Sequence, residues 1–186
     1  QTPSWGFRLP LEYGYFLAKA ALFRKVEVTS LLPSLRLTHN DNWRTDFFGL
    51  LQYKKYLDND PNIFAWRLGV IHYLSTDASL RRHVRLGYAV SQDQSPDDQS
   101  GYVTAEASLG VSTPLWGPFS LDLSATYVKY WYDTRVDPFI PDGGLIERKD
   151  DQYRALAQLF YRVSDRLMLV LGYSHTFNDS RLVGAD

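Results

Sequence analysis

The sequence has no cysteine and a single methionine among its 186 residues. The missing thiols exclude a disulfide-stapled scaffold, a thiolate metal site and a cysteine nucleophile together. An excess of one charge is missing too: 20 basic residues stand against 21 acidic ones, for a net charge of −1. That balance lacks the clustered Lys and Arg of a nucleic-acid surface, so no nucleic-acid partner is expected. No apolar run approaches the ~18 residues that a transmembrane helix requires. Glycine-rich phosphate loops, HExxH and zinc-ligand spacings are absent, and no cofactor or metal is expected. The opening residues QTPSW show neither a basic start nor an apolar h-region, so an exported protein would be seen here as a mature chain or a fragment.

What the chain does have is aromatic rings. It carries 5 Trp, 13 Tyr and 10 Phe, and is 45% hydrophobic, too apolar for disorder. Its mean hydropathy is nevertheless −0.30. Alternation resolves the conflict, because apolar and polar side chains follow one another with period two. Phe7, Leu9, Leu11, Tyr13, Tyr15 and Leu17 oppose Arg8, Glu12 and Gly14. Leu31, Pro33, Leu35 and Leu37 oppose Ser30, Ser34, Arg36 and Thr38. The pattern recurs around Trp43–Tyr53, Phe64–Val70, Val84–Val90, Val103–Val111, Phe119–Tyr127, Tyr153–Tyr161 and Leu167–Phe177. These are nine strands of roughly ten residues or more, the length a tilted membrane strand needs. Residues 11–25 have a weaker amphipathic-helix pattern, which Gly14 and the preceding alternation argue against.

A soluble sandwich also alternates, so the choice rests on three further features. The strands exceed the usual 5–6 residues of soluble ones. Connectors near Asn40-Asp41, Ser75–Ser79, Pro114–Pro118 and Ser164-Asp165 read as short. Those near Ala18–Arg24, Asp58–Asn62, Gln92–Ser100 and Asp133–Asp150 read as longer and more charged. Aromatics gather at strand ends: Trp5, Tyr13, Tyr15, Trp43, Tyr53, Tyr56, Tyr73, Trp116, Tyr127, Tyr130, Trp131, Tyr132, Tyr153, Tyr161 and Tyr173, with Trp66 in a similar setting. Short turns on one rim, long loops on the other and aromatic girdles are the marks of outer-membrane barrels. The expected fold is therefore all-β: a single antiparallel up-and-down transmembrane barrel spanning 1–186, with nine strands visible and ten or more when closed. With the short turns on one side, the first and ninth strands run the same way. A closed sheet of even strand number then calls for at least one strand after Asp186 or from another chain. That expectation fails if the barrel closes within these residues.

The stretches SLGVSTPLWGPFSLDLSATYVKYWYD (108–133) and DDQYRALAQLFYRVSDRLMLVLGYSHTFNDS (150–180) resemble a family of bacterial outer-membrane barrels. These are the C-terminal barrels of proteins with periplasmic tetratricopeptide repeats, including surface lipoprotein assembly modifiers and exopolysaccharide-secretion porins. The likeness covers roughly residues 25–180 in style and rests on strand-turn-strand patterns. It implies an outer-membrane location and a role in secretion or transport. No catalytic or ligand residue carries over from it. In that family a final strand ending in an aromatic residue would follow a segment such as 166–180, where this sequence reads RLVGAD. No helical repeat precedes the strands.

On the inward parity fall Arg8, Arg36, Arg44, Lys54, Arg67, Arg85, Arg154 and Arg162, with Glu12, Asp46, Glu106 and Asp122. Such residues either fill a narrow barrel as a salt-bridge network or line a weakly cationic pore that favours anions. Four histidines, His39, His72, His83 and His175, invite a catalytic check. Ser174, His175, Asn178 and Ser180 lie together in sequence, but parity separates Ser174 from His175 across the sheet. Acidic residues gather at Asp58, Asp60, Asp93, Asp97, Asp98, Asp133, Asp137, Asp142, Glu147, Asp150 and Asp151. They read as solvated loop charge, since no Gly occupies the sixth position that a calcium loop of the EF-hand type needs. Lys129 falls on the lipid-facing parity beside Tyr130, Trp131 and Tyr132, and is expected at a rim, where a charge costs little. The functional expectation is a non-enzymatic outer-membrane barrel acting as a pore, translocation or anchoring component of a larger envelope assembly. Its partners would be outer-membrane lipids and lipopolysaccharide, with a periplasmic domain or partner protein supplying the missing strand or a plug. The alternatives are a scaffold with a plugged lumen and a lipid-modifying enzyme.

Overall fold

A computed structural model describes residues 3–18, 24–56, 62–77, 81–94, 101–132, 135–136 and 145–184. Its strands are β1 (Ser4–Arg8), β2 (Leu11–Ala18), β3 (Arg24–Leu31), β4 (Ser34–Asn40), β5 (Trp43–Tyr56) and β6 (Ile63–Ser75). They continue as β7 (His83–Gln94), β8 (Tyr102–Pro114), β9 (Phe119–Tyr132), β10 (Arg135–Val136), β11 (Leu145–Arg162) and β12 (Met168–Gly184). Among the described residues there is no helix, and residues 11–18 are strand.

All the pairings are antiparallel and join one large sheet. β1 and β2 keep a single register against β4 and β3, and the Leu32 amide donates to the Pro10 carbonyl across the gap. β3 and β4 likewise share one register against β5. With β10 extending β9 along β11, the 12 segments form nine traverses, each paired with its neighbours in sequence. The result is an up-and-down sheet of a barrel-like fold that does not close among the described residues. β1–β2 and β12 run in the same direction at its two edges.

Connector asymmetry is weaker than the sequence indicates. The turn rim carries 41–42, 76–82, 115–118 and 163–167; 76–82 is as long as 95–101 on the opposite rim. In the 115–118 turn Gly117 has φ 55° at the first central position, where glycine meets no Cβ penalty.

Registered pairs share a face, so the whole sheet can be sorted into two surfaces. Tyr88, Ala107, Tyr127, Tyr153 and Phe177 follow one another across five strands on one side. Gly87, Ser108, Thr126, Arg154 and Thr176 follow on the other. The first face is apolar and open: Leu11, Leu68, Leu109, Leu171 and Tyr173 are all exposed. Among the described residues nothing packs over it, no large side chain is fully buried, and the only buried hydrophobics are Ala89 and Val128, both on the polar face.

Candidate functional site

The apolar face is ordered in rows. At the turn rim Phe119 and Tyr161 pair with ring centroids 4.8 Å apart, and Trp116 lies 5.8 Å from Phe119. Eight residues further along β9, Tyr127 meets Tyr153 at 5.2 Å, and Tyr153 meets Phe177 at 6.3 Å. Between the rows lie Leu121–Leu159–Leu171, Leu123–Ala157–Tyr173 and Ala125–Ala155–His175. The separation is about 27 Å along the strand at ~3.4 Å per residue, or roughly 20 Å in height at the ~40° tilt of barrel strands.

Past the second row the same face turns charged. Lys129 stands opposite Asp151, and Asp151 opposite Asp179; Trp131, Lys149 and Arg181 form the next rung. Tyr127 Oη donates to Asp151 Oδ1 at 2.5 Å, and Lys129 Nζ sits 5.5 Å from the Trp131 ring centre. The change recurs around the sheet. Lys55 Nζ pairs with Glu27 at 3.9 Å, and Trp66 Nε1 donates to Gln92 Oε1 at 3.1 Å. At the turn rim, Thr45 is 3% exposed and its hydroxyl lies 2.9 Å from His39 Nε2 and 3.0 Å from His72 Nδ1. Trp43 stacks on His39 at 4.1 Å.

Of the aromatics expected at the interfaces, Trp5, Trp43, Trp66, Trp131 and Tyr161 share the apolar face near a strand end, Tyr127 and Tyr153 share it in the interior of β9 and β11, and Trp116 is exposed in a turn. Tyr173 stands mid-strand opposite Ala157 and is exposed. Tyr73, Tyr130 and Tyr132 register with the polar face instead. Tyr73 carries the Arg44 guanidinium at 4.0 Å, and Tyr132 that of Arg148 at 4.8 Å. Strand-end position alone does not fix the face.

On the polar face the cations are mostly engaged. Arg36 Nε and Nη2 donate to both Asp46 oxygens at 3.0 and 3.1 Å, and Arg44 Nε lies 3.3 Å from the same carboxylate. Lys54 approaches Asp93 at 3.8 Å. Two arginines reach over a whole strand: Arg67 on β6 donates to Glu106 on β8 at 2.8 Å, and Arg85 on β7 grips Asp122 on β9 at 2.7 and 2.5 Å. Small residues make the crossing feasible. Arg85 lies directly against Gly110, where a Cβ would collide with its side chain. Arg154 donates to Tyr130 Oη at 2.9 Å and to Gln152. Arg8, Glu12 and Arg162 form no ion pair among the described residues.

Several acidic residues expected in loops are in strands. β11 begins at Leu145, so Glu147, Asp150 and Asp151 belong to it, and Asp93 belongs to β7. Asp150 is buried on the polar face and receives two hydrogen bonds from Arg148, at 3.0 and 2.7 Å. Alternation fades where both faces are polar, which is why this stretch reads as loop. Asp58, Asp60, Asp97, Asp98, Asp133, Asp137 and Asp142 lie outside the described residues. Among the described residues no cluster of three or more metal-ligating side chains occurs. Ser174 registers with Leu156 and His175 with Ala155, on opposite faces. His83 packs its ring against Tyr73 at 5.5 Å.

Two adjoining grooves cut the apolar face. One, of about 500 Å³, runs between Tyr88 and Phe177 over a floor of Ala107, Ala125 and Ala155. The other, of about 330 Å³, shares Leu109, Ala125 and Ala155 and continues towards Leu123 and Tyr173. No protein-family model, curated protein or solved structure matches the chain. The functional reading therefore rests on the two faces and their rims.

Proposed function

We propose that the chain forms the membrane-spanning wall of a bacterial outer-membrane β-barrel, serving as a non-enzymatic pore, translocation or anchoring component of a larger envelope assembly. The observation that carries this is the uncovered apolar face, bounded along β9 and β11 by two aromatic rows and turning charged past the second. A soluble protein rarely leaves so continuous an apolar surface in water, whereas each Leu or Phe moved from water into lipid gains about 1.5–3 kcal/mol. The row spacing suits the apolar band of such barrels, ~25 Å tall. The likeness of 108–133 and 150–180 to barrels of tetratricopeptide-repeat proteins is compatible with an export role.

A plugged scaffold is the second reading, and the ion pairs favour it. Arg36, Arg44, Lys54, Arg67 and Arg85 all spend their charge on carboxylates, which weakens the case for an anion-selecting ring. A lipid-modifying enzyme has less support, since Ser174 and His175 project to opposite faces. Reconstitution of the full-length protein tests these readings. A membrane barrel migrates heat-modifiably on a detergent gel and inserts into vesicles; failure to do both overturns the proposal. In planar bilayers a steady anion-selective current supports the pore, and silence from inserted protein supports the scaffold.

A further inference from the structure

Resting on the barrel reading, in which the polar face lines the lumen, we infer that the turn-rim end of that face binds a phosphate group carried on a small apolar body. Ser112 on β8, Ser120 on β9, Phe160 and Arg162 on β11 and Met168 on β12 share the polar face. With Arg81, from the turn before β7, they line a hollow of about 290 Å³. Elsewhere on this face Arg36, Arg44, Lys54, Arg67, Arg85 and Arg148 each meet a carboxylate. The side chains of Arg81 and Arg162 differ: among the described residues neither has an ion pair or hydrogen bond, and the Ser112 and Ser120 hydroxyls have no partner either. The nearby carboxylates do not compete. Asp122, the next polar-face residue after Ser120 on β9, is held by Arg85. Asp77 accepts the backbone amides of Arg81 and Arg82 at 3.1 and 3.3 Å, and Asp165, in the turn after Arg162, does not line the hollow. A negative group placed there meets two positive charges and has no carboxylate to displace.

Donor number and lining chemistry name the ligand. Each guanidinium offers five N–H donors in a planar fork and each serine one hydroxyl. That is more than the two oxygens of a carboxylate can use, and it suits the several oxygens of a phosphate. The rest of the lining includes Phe160 and Met168. A bare inorganic ion leaves those side chains uncovered, whereas an apolar body attached to the phosphate removes them from water and gains about 25 cal/mol per Å². On the barrel reading lipid meets the other face, so the phosphate belongs to a solute. The hollow then sits at one mouth of the lumen, where such a solute would load.

The experiment uses full-length protein folded in non-ionic detergent at physiological ionic strength, with heat-modifiable migration checking the fold of wild type and variants. Titration calorimetry follows the binding of phenyl phosphate, inorganic phosphate and phenol. The expected order is phenyl phosphate tightest, inorganic phosphate weaker and phenol weakest. Arg81→Gln and Arg162→Gln each weaken phenyl phosphate by about tenfold, the loss of one charge-assisted hydrogen bond. Arg82→Gln, whose side chain does not line the hollow, leaves it unchanged. Equal weakening by all three variants means diffuse rim charge and overturns the site. So does binding that neither Arg81→Gln nor Arg162→Gln weakens, or folded protein that binds no phenyl phosphate. Phenol bound as tightly as phenyl phosphate overturns the anion, and inorganic phosphate bound as tightly overturns the apolar body. Protein that never migrates heat-modifiably overturns the barrel reading instead.

Discussion

Gly110 shows how much a single missing Cβ can do. The Arg85 side chain lies where that atom would be, and only by crossing there does it reach Asp122 two strands away. Gly110→Ala should dislodge the guanidinium and weaken two charge-assisted hydrogen bonds, lowering stability by about 1.5–3 kcal/mol. Gly6 is the control, because a Cβ there meets nothing within 4 Å. Urea unfolding of both variants in lipid vesicles should show a lowered midpoint for Gly110→Ala alone; equal midpoints would remove the crossing arginine from the stability account. Asp150 makes the complementary point. It is buried and held by Arg148 through two hydrogen bonds, so a residue that looks like loop charge in the sequence is a structural member of the polar face.

At the level of strands, depth governs the cost of a charge. Leu123 lies midway between the aromatic rows and Lys129 one rung beyond the second. Leu123→Arg should therefore impair folding into vesicles by about 2–4 kcal/mol, whereas Lys129→Arg should be nearly neutral. Equal effects would mean that the rows do not mark the interfaces. The traverses and their faces were legible because alternation is local: Val84–Val90 or Phe119–Tyr127 declare both strand and orientation without reference to any partner. Pairing was not. Arg67 and Glu106, or Arg85 and Asp122, find each other only through the register of the strand between them, and no local pattern encodes that. The start of β11 was hidden for a different reason, since beyond the apolar band Lys149, Asp150, Asp151 and Gln152 alternate polar with polar. The placing of Tyr73, Tyr130 and Tyr132 followed the same logic: strand-end aromatics are amphipathic enough to serve either face.

The molecule as a whole divides into an apolar face and a face for its own ion pairs, and the absence of cysteine makes that division easy to probe. A single cysteine at Leu123 should react with a membrane-permeant maleimide and resist a water-soluble one once the protein is in vesicles. A cysteine at Ser124, the next residue and on the opposite face, should show higher reactivity with the water-soluble reagent. Matching reactivity at the two positions would contradict a lipid-facing outer surface. The arginines that bridge alternate strands have one further consequence. Because each ties a strand to its second neighbour, a slip of either strand by two residues would carry the partners about 7 Å apart. Arg67–Glu106 and Arg85–Asp122 thus fix the stagger across β6 to β9. Summed around a cylinder, stagger is the shear, which together with strand number sets tilt and radius. These few ion pairs act as a gauge for the width of whatever closed wall this sheet belongs to.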